Sequence, residues 1–520
     1  MASKTLFKSI RGRQAPAAGA INEAGGAAYA MSAEHQLAQY VATGCLNSTF
    51  YASAASQLDT MLRLCQRVEP EFLARTALYC RAEGHMKDAP ALMCAVLSVL
   101  SPGLMAEVFD RVIDSPKMLR NFVQIMRSGV VARKSLGTLP KRLIRQWLDA
   151  RSDEAIFFAS VGNDPSLADI VKMVHPRPQT ASRAALYGYL IGRDHDASAL
   201  PQIVKDYEVF KAGKAREVPN VPFQMLTSLP LGPGDWKQIA RNGSWQMTRM
   251  NLNTFARHGV LEDEAMVTLI ANKLADPKLV ERARVFPYQL LTAHVMASRE
   301  MPRNILRSLE AALEIAVRNV PELPGRTVVC VDVSGSMHSP VTGYRKGSTT
   351  AVRCVDVAAL MAAAVLRRNV DADVMPFHDR VLDVRLNPRD TVMTNAEKLA
   401  SMPGGGTNCS APLAELNRRK SEVDTVIFVS DYESWIDTSS GSWRSGTETM
   451  RQWEQIRARC PKARLVCIDV QPQGSTQAPN RADILNVGGF SDAVFDVVGQ
   501  FASGGLRPQH WVEVINAVSI

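Results

Sequence analysis

The chain has 520 residues, 46% hydrophobic and 21% charged, a balance that excludes wholesale disorder and leaves room for two or more domains with their own cores. Its net charge of +9 is unevenly placed: residues 1–325 carry 39 Lys and Arg against 30 Asp and Glu, whereas 326–520 carry 21 of each. A local positive excess points to a polyanionic partner rather than a small substrate.

No apolar run approaches the roughly 18 residues that a membrane span needs. The basic start, Met1 to Arg11, lacks the apolar core and cleavage site of a signal peptide. Nine cysteines lie far apart with no C-x-x-C pair, and Cys94, Cys330 and Cys467 sit inside apolar runs. That usage is expected of reduced, buried thiols in a cytoplasmic protein.

Residues 1–24, with six alanines, read as an arm without regular structure. From about Ser32 to Val320 apolar residues recur at three- and four-residue steps, as in Phe72–Ala82, Pro90–Leu100, 261–275 and 304–318. Gly84 and Ser101-Pro-Gly103 end the first two of these runs. Helices of this length joined by short breakers predict a helical module over 25–322, an irregular α-solenoid without a strict sequence period.

Within it, residues 115–148 hold eight cations (Lys117, Arg120, Arg127, Arg133, Lys134, Lys141, Arg142 and Arg145) and no acid. A solvated helical face normally mixes both signs. In Pro140–Asp149, Lys141, Arg142 and Arg145 share one side of the helical wheel, largely opposite Leu143, Ile144, Trp147 and Leu148. The apolar side can anchor the helix while the basic side meets phosphates; the plainer alternative is a surface that only aids solubility.

Pro321–Gly325 breaks the helical pattern, and strands then alternate with helices. Strands are expected at 327–333, 371–376, 425–430 and 463–470, with helices near 352–368, 394–401, 411–420 and 447–459. Such alternation predicts a doubly wound parallel α/β domain over 326–520.

The apolar run Thr327–Val331 leads into Asp332-Val-Ser334-Gly-Ser336 at the carboxyl end of a buried strand, the edge where open parallel sheets bind ligands. Alone, this run could be a solvated turn. Two further stretches complete an oxygen set: Gly404-Gly-Gly-Thr407, and Thr425-Val-Ile-Phe-Val-Ser-Asp431. Asp332, Ser334, Ser336, Thr407 and Asp431 offer carboxylates and hydroxyls without Cys or His, which suits Mg²⁺, with Mn²⁺ or Ca²⁺ as alternatives, rather than zinc. This set resembles the metal-ion-dependent adhesion site of von Willebrand factor type A (vWA) domains.

A basic helical module followed by such a domain resembles the Ro autoantigen family, in which a TROVE module precedes a vWA domain. The resemblance rests on Asp332–Met337, Met402–Ser410, Ala283–Tyr288, the helix 140–149 and Ser166–Pro176, and covers essentially the whole chain. The compact length points to a bacterial member. It implies a ring of HEAT-like repeats closed by the vWA domain, binding single-stranded RNA 3′ ends in its hole and Y-like noncoding RNAs along its rim. Lys141, Arg142, Arg145 and His175 fall by position in segments that contact Y RNA, although the basic spacing differs from that of the animal proteins. His175 reads equally well as a structural helix cap. The family also implies polynucleotide phosphorylase or another exoribonuclease as partner.

Aromatic residues make up only 6%, so recognition by extensive base stacking is not expected. Walker, H-E-x-x-H and deaminase motifs are absent from the sequence. The expectation is therefore a monomeric, membrane-free RNA-binding scaffold in RNA quality control, and not an enzyme. The alternative is a protein-interaction module whose metal grips an acidic ligand, with the basic helices as scaffold.

Overall fold

The structure is a computed structural model that describes residues 15–43, 53–283, 285, 287–297, 301–318, 320–341, 343–344, 352–435, 446–471, 474–489, 492–504 and 510–520. Arg284 and Phe286 of the 283–288 motif and residues 1–14 of the expected arm lie outside the described residues. The described strands are β1 (Ala20–Ile21), β2 (Ala27–Ala30), β3 (Thr327–Asp332), β4 (Asp373–Phe377), β5 (Thr425–Ser430), β6 (Arg464–Asp469), β7 (Ser475–Thr476) and β8 (Ile484–Gly488).

Chain packing separates two compact units. One comprises Glu69–Val285, Ala293–Ile315 and Val518–Ile520. Its helices include Pro70–Ala82, Asp88–Leu100, Pro102–Val112, Pro116–Ser128, Thr138–Asp149 and Glu264–Ala275, and each packs mainly on helices close to it in sequence. That near-neighbour packing is the solenoid arrangement expected from the helix spacing. Proline or a serine cap opens several of these helices: Ser115 accepts from the Met118 amide, and Pro116 takes the first helical position where its missing N–H costs nothing.

The other unit holds the described parts of Met1–Val68, Phe286–Thr292 and Ala316–Ala517. Its sheet is parallel throughout, in the order β4-β3-β5-β6-β8. All six residues of β3 and of β5 are buried, as continuous apolar runs require when helices cover both faces. The helices Cys354–Arg368, Val392–Ala400, Ala411–Arg418 and Glu448–Arg459 follow the expected alternation. The sequence reading did not foresee β8, whose run is interrupted by Asn486. That amide is buried and donates to the Ala478 carbonyl at 3.0 Å and to Asn480 Oδ1 at 2.8 Å.

The N-terminal boundary also differs from expectation. Residues 25–68 do not begin the helical unit, and 15–24 are not a loose arm. β2 pairs antiparallel with β7, Tyr29 enters the sheet unit's core, and His35 Nε2 lies 3.0 Å from the Asn486 carbonyl. Asn22 Nδ2 donates to the Ser434 carbonyl at 2.8 Å. The physical reason is size: Ala27, Ala28 and Tyr29 are buried against the sheet, yet small side chains leave no periodic signal to read. Eight described cysteines are free thiols, seven of them buried, and burial pushes Cys65 and Cys467 up to about 12. Among the described residues no helix is long and apolar enough to cross a membrane.

Candidate functional site

The carboxyl ends of β3 and β5 lie side by side, with Val331 in register with Val429. Asp332 and Asp431 therefore leave adjacent strands at one edge of the sheet, both almost fully buried. The Ser334 amide donates to Asp332 Oδ1 at 2.8 Å, and the Ser430 hydroxyl donates to Asp332 Oδ2 at 2.5 Å. Ser334 and Ser336 hydroxyl oxygens stand 3.3 Å apart, and Ser336 donates to the Asp431 carboxylate.

The glycine loop is drawn against this turn: the Gly335 amide donates to the Gly405 carbonyl at 2.9 Å. A Cβ on Gly405 would stand 2.8 Å from the His378 ring, so close approach explains the glycine better than flexibility does. Thr407 is buried beside the Asp431 loop, its carbonyl accepting from the Trp435 amide at 3.1 Å and from the Ser434 hydroxyl at 3.4 Å. Trp435 itself is 42% exposed.

Burial, and then the neighbouring Asp431 carboxylate, hold Asp332 above the usual carboxylate range. Burial raises Asp431 as well, and its Oδ2 atom is buried without a hydrogen-bond partner. Two crowded, desolvated carboxylates with an unpartnered oxygen, ringed by hydroxyls, fit a hard divalent cation. Among the described residues no group of three His, Cys, Asp or Glu forms a metal cage. A cation here would therefore be held by Asp332 and Asp431 together with Ser334, Ser336 and Thr407. Sequence reasoning missed Ser430, which reads as an ordinary strand residue. It also missed Glu433, buried two residues past Asp431, whose Oε2 accepts from the Glu23 and Ala24 amides at 2.6 and 3.3 Å.

The eight cations of 115–148 fall into two groups. Arg120 donates to the Ala159 carbonyl at 3.4 Å, Arg133 to the Ser98 carbonyl at 2.7 Å, and Arg145 to the Val174 carbonyl at 2.5 Å. These three tie helices to one another. Lys117, Arg127, Lys134, Lys141 and Arg142 make no ion pair or side-chain hydrogen bond; all are exposed except Lys141, which is half-buried. In the helix Thr138–Asp149 the wheel reading holds: Leu143, Ile144, Trp147 and Leu148 are buried. Trp147 Nε1 donates to the Ile113 carbonyl at 2.5 Å, and the Arg151 guanidinium stacks 3.3 Å from its ring.

His175 ends the helix Leu167–Val174 with φ +48°, its amide donating to the Val171 carbonyl at 2.9 Å. The Ser166/Asp169 capping box opens the same helix. The backbone of His175 thus serves as the cap, while its exposed ring makes no hydrogen bond within the protein.

A helical module followed in the chain by an α/β domain with this oxygen-rich strand edge is the combination that two family models match. The Ro60 vWA domain family matches residues 326–502, and the TROVE domain family matches residues 166–304. Together the two models match the helical and the sheet portions in the order expected of the Ro family. The chain is 26% identical over 522 residues to the RNA-binding protein RO60 of Deinococcus radiodurans, covering 93% of this chain and 95% of that protein. It is 24% identical over 274 residues to the RNA-binding protein RO60 of Caenorhabditis elegans, covering 50% of this chain and 41% of that one. The crystal structure of the Deinococcus radiodurans RO (RSR) protein superposes with a TM-score of 0.63 at 24% identity, spanning 91% of this chain and all of that one. The acid-free stretch 115–148 precedes the matched TROVE segment, which includes only His175 of the expected RNA-contacting residues.

Proposed function

We propose that this protein is an RNA-binding scaffold rather than an enzyme, with its helical unit making the RNA contacts. The observation that carries this reading is the stretch 115–148. It contains no acid, and five of its eight cations meet no acceptor in the protein. Exposed cations without acidic partners repel their neighbours unless a polyanion covers them. The relatives named as RNA-binding proteins support RNA as that polyanion. Contacts of this kind read phosphate, giving affinity with little sequence choice.

The ligands proposed are Y-like noncoding RNAs and single-stranded 3′ ends of misfolded or damaged RNAs. The proposed setting is cytoplasmic RNA quality control with an exoribonuclease such as polynucleotide phosphorylase. Purified protein should bind an RNA carrying a single-stranded 3′ tail. Five phosphate contacts correspond to about a hundredfold loss of affinity between 50 and 200 mM salt. Absence of binding, or binding indifferent to salt, would overturn the reading.

At the sheet edge, Asp332, Ser334, Ser336, Thr407 and Asp431 are proposed to hold Mg²⁺, with Mn²⁺ or Ca²⁺ as alternatives. The fit rests on the unpartnered Asp431 Oδ2 beside a second buried carboxylate. A bound cation would neutralise the two acids and offer a Lewis-acidic position to an acidic ligand. The exposed Trp435 beside the Thr407 loop favours a second role, capture of a partner protein at this corner. Partner binding abolished by chelator and by Asp332→Ala would support it; binding unaffected by both would exclude it.

A further inference from the structure

The helical unit contains a cavity of about 460 Å³ between Phe158, the segment Val218–Leu226 and the segment Ile239–Asn251. Two breaks in the chain build it. The first surrounds Pro219 and Pro222, which hold 218–222 out of helix until the short helix Phe223–Leu226 begins. The second lies between the helices Pro233–Asn242 and Trp245–Met250, at Gly243. A Cβ at Gly243 would stand 2.1 Å from the mobile end of Met247 and 3.0 Å from the Ile239 carbonyl, so the second helix turns in closely here.

The lining is apolar at its base, through Val221, Leu226, Ile239 and Met247, with the rings of Phe158 and Phe223 beside it. Phe223 is held edge-on to Trp236 at 5.9 Å, and Trp236 is in turn stacked on His258 at 4.0 Å. None of the lining residues is ionisable. A phosphate, carboxylate or amine placed inside would lose its hydration without gaining a counter-charge. Amides supply the polar groups instead. Asn220, Gln224 and Asn242 are exposed at the cavity, and their side-chain amides make no hydrogen bond within the protein. A carboxamide carries both donors and an acceptor, the combination that pairs with the edge of a nucleobase.

Charge lies outside the cavity. Residues 211–257 include seven Lys and Arg against two acids. Lys211 pairs with Glu208 and Lys237 with Asp263, whereas Lys214, Arg216 and Arg257 are exposed without an acidic partner. Arg216 stands two residues before Val218, and Arg241 directly precedes Asn242. A neutral, aromatic-sided, amide-rimmed pocket inside a cationic segment matches a chain of neutral planar heterocycles on an anionic backbone.

We infer that this cavity receives one unpaired nucleobase of a bound RNA strand. The inference rests on the RNA-binding reading above and adds to it a base-dependent contact within otherwise electrostatic recognition. The volume lies within the range of small-ligand pockets.

The test is an abasic scan. A 12-nucleotide single-stranded oligoribonucleotide is made with one base removed at each position in turn. Its affinity for the full-length protein is compared with that for Asn242→Ala and Gln224→Trp, both at exposed positions. In the wild type, base loss at one or two positions should weaken binding about tenfold, the size of effect expected when one base leaves an aromatic contact. In the two variants the same base losses should cost nothing, while the shared phosphate-dependent affinity persists. A penalty that survives unchanged in both variants overturns the pocket, as does an intact oligonucleotide bound with no penalty at any position. Both outcomes leave RNA binding standing. Failure of wild-type protein to bind any oligoribonucleotide overturns both readings together.

Discussion

Ser430 donates its hydroxyl to Asp332 across 98 residues of sequence, joining the ends of β5 and β3 at 2.5 Å. The same Ser430 oxygen accepts from the Tyr432 amide at 2.9 Å, so one side chain sets both the acid of one strand and the turn leaving the other. Replacing it with alanine leaves Asp332 Oδ2 buried with one donor fewer, a loss of about 1–3 kcal/mol. Ser430→Ala is therefore expected to lower the urea midpoint of the sheet unit and to weaken the proposed Mg²⁺ binding, read by calorimetry. Unchanged values for both would show that this contact does not position Asp332.

Asn22 provides the corresponding test for the N-terminal segment. Its side chain donates to the Ser434 carbonyl and accepts from the Gly26 amide at 2.7 Å, and it is nearly buried. Asn22→Ala should destabilise the sheet unit by about 1–3 kcal/mol, and proteolysis should cut after residue 30 sooner than in the wild type. An arm that merely lay on the surface would show neither change.

Glu433 links stability to pH. Burial, then the Asp431 carboxylate, push it up from 4.5 to about 8. Between those values the native state keeps a proton that the unfolded chain releases, so this group's contribution to stability falls as pH rises through the window. Metal-free protein should thus lose melting temperature from pH 6 to pH 8, and Glu433→Gln should flatten that slope. Mg²⁺ should raise the melting temperature more at pH 8 than at pH 6, because the proposed ligands are deprotonated carboxylates. An identical slope in wild type and Glu433→Gln would refute the assignment.

The two groups of cations in 115–148 should behave differently. Lys141→Glu with Arg142→Glu breaks no hydrogen bond or ion pair within the protein, and should weaken RNA binding at least tenfold while reducing the salt slope by roughly two. Arg145→Ala removes a donor to the Val174 carbonyl and should cost stability as well as affinity. If the double charge reversal binds RNA normally in filter-binding assays, this surface is not the RNA site.

Much of the sheet and all five proposed metal ligands were legible in the sequence, because β3 and β5 are buried on both faces and therefore read as unbroken apolar runs. Asp332, Ser334, Ser336 and Asp431 stand out because they follow those runs, whereas Thr407 stands out only by the glycines before it. Ser430 did not stand out, since a serine closing a strand carries no signal of the partner that it reaches. β8 was hidden by Asn486, a polar residue satisfied entirely inside the core. The division of the basic stretch into helix ties and free cations depends on which carbonyl each guanidinium finds, which no spacing rule encodes. The cavity at 218–251 was invisible for a related reason: its walls come from three separate segments, and its residues have no shared periodicity.

The most direct measurement is sequencing of the RNA that co-purifies with full-length protein isolated without nuclease, beside the Lys141→Glu, Arg142→Glu variant. A limited set of noncoding RNAs, enriched over total RNA and depleted from the variant, is the expected result. Wild-type protein that carries no RNA, or that carries the same unselected RNA as the variant, would contradict a scaffold that binds RNA through the acid-free stretch 115–148 of its helical unit.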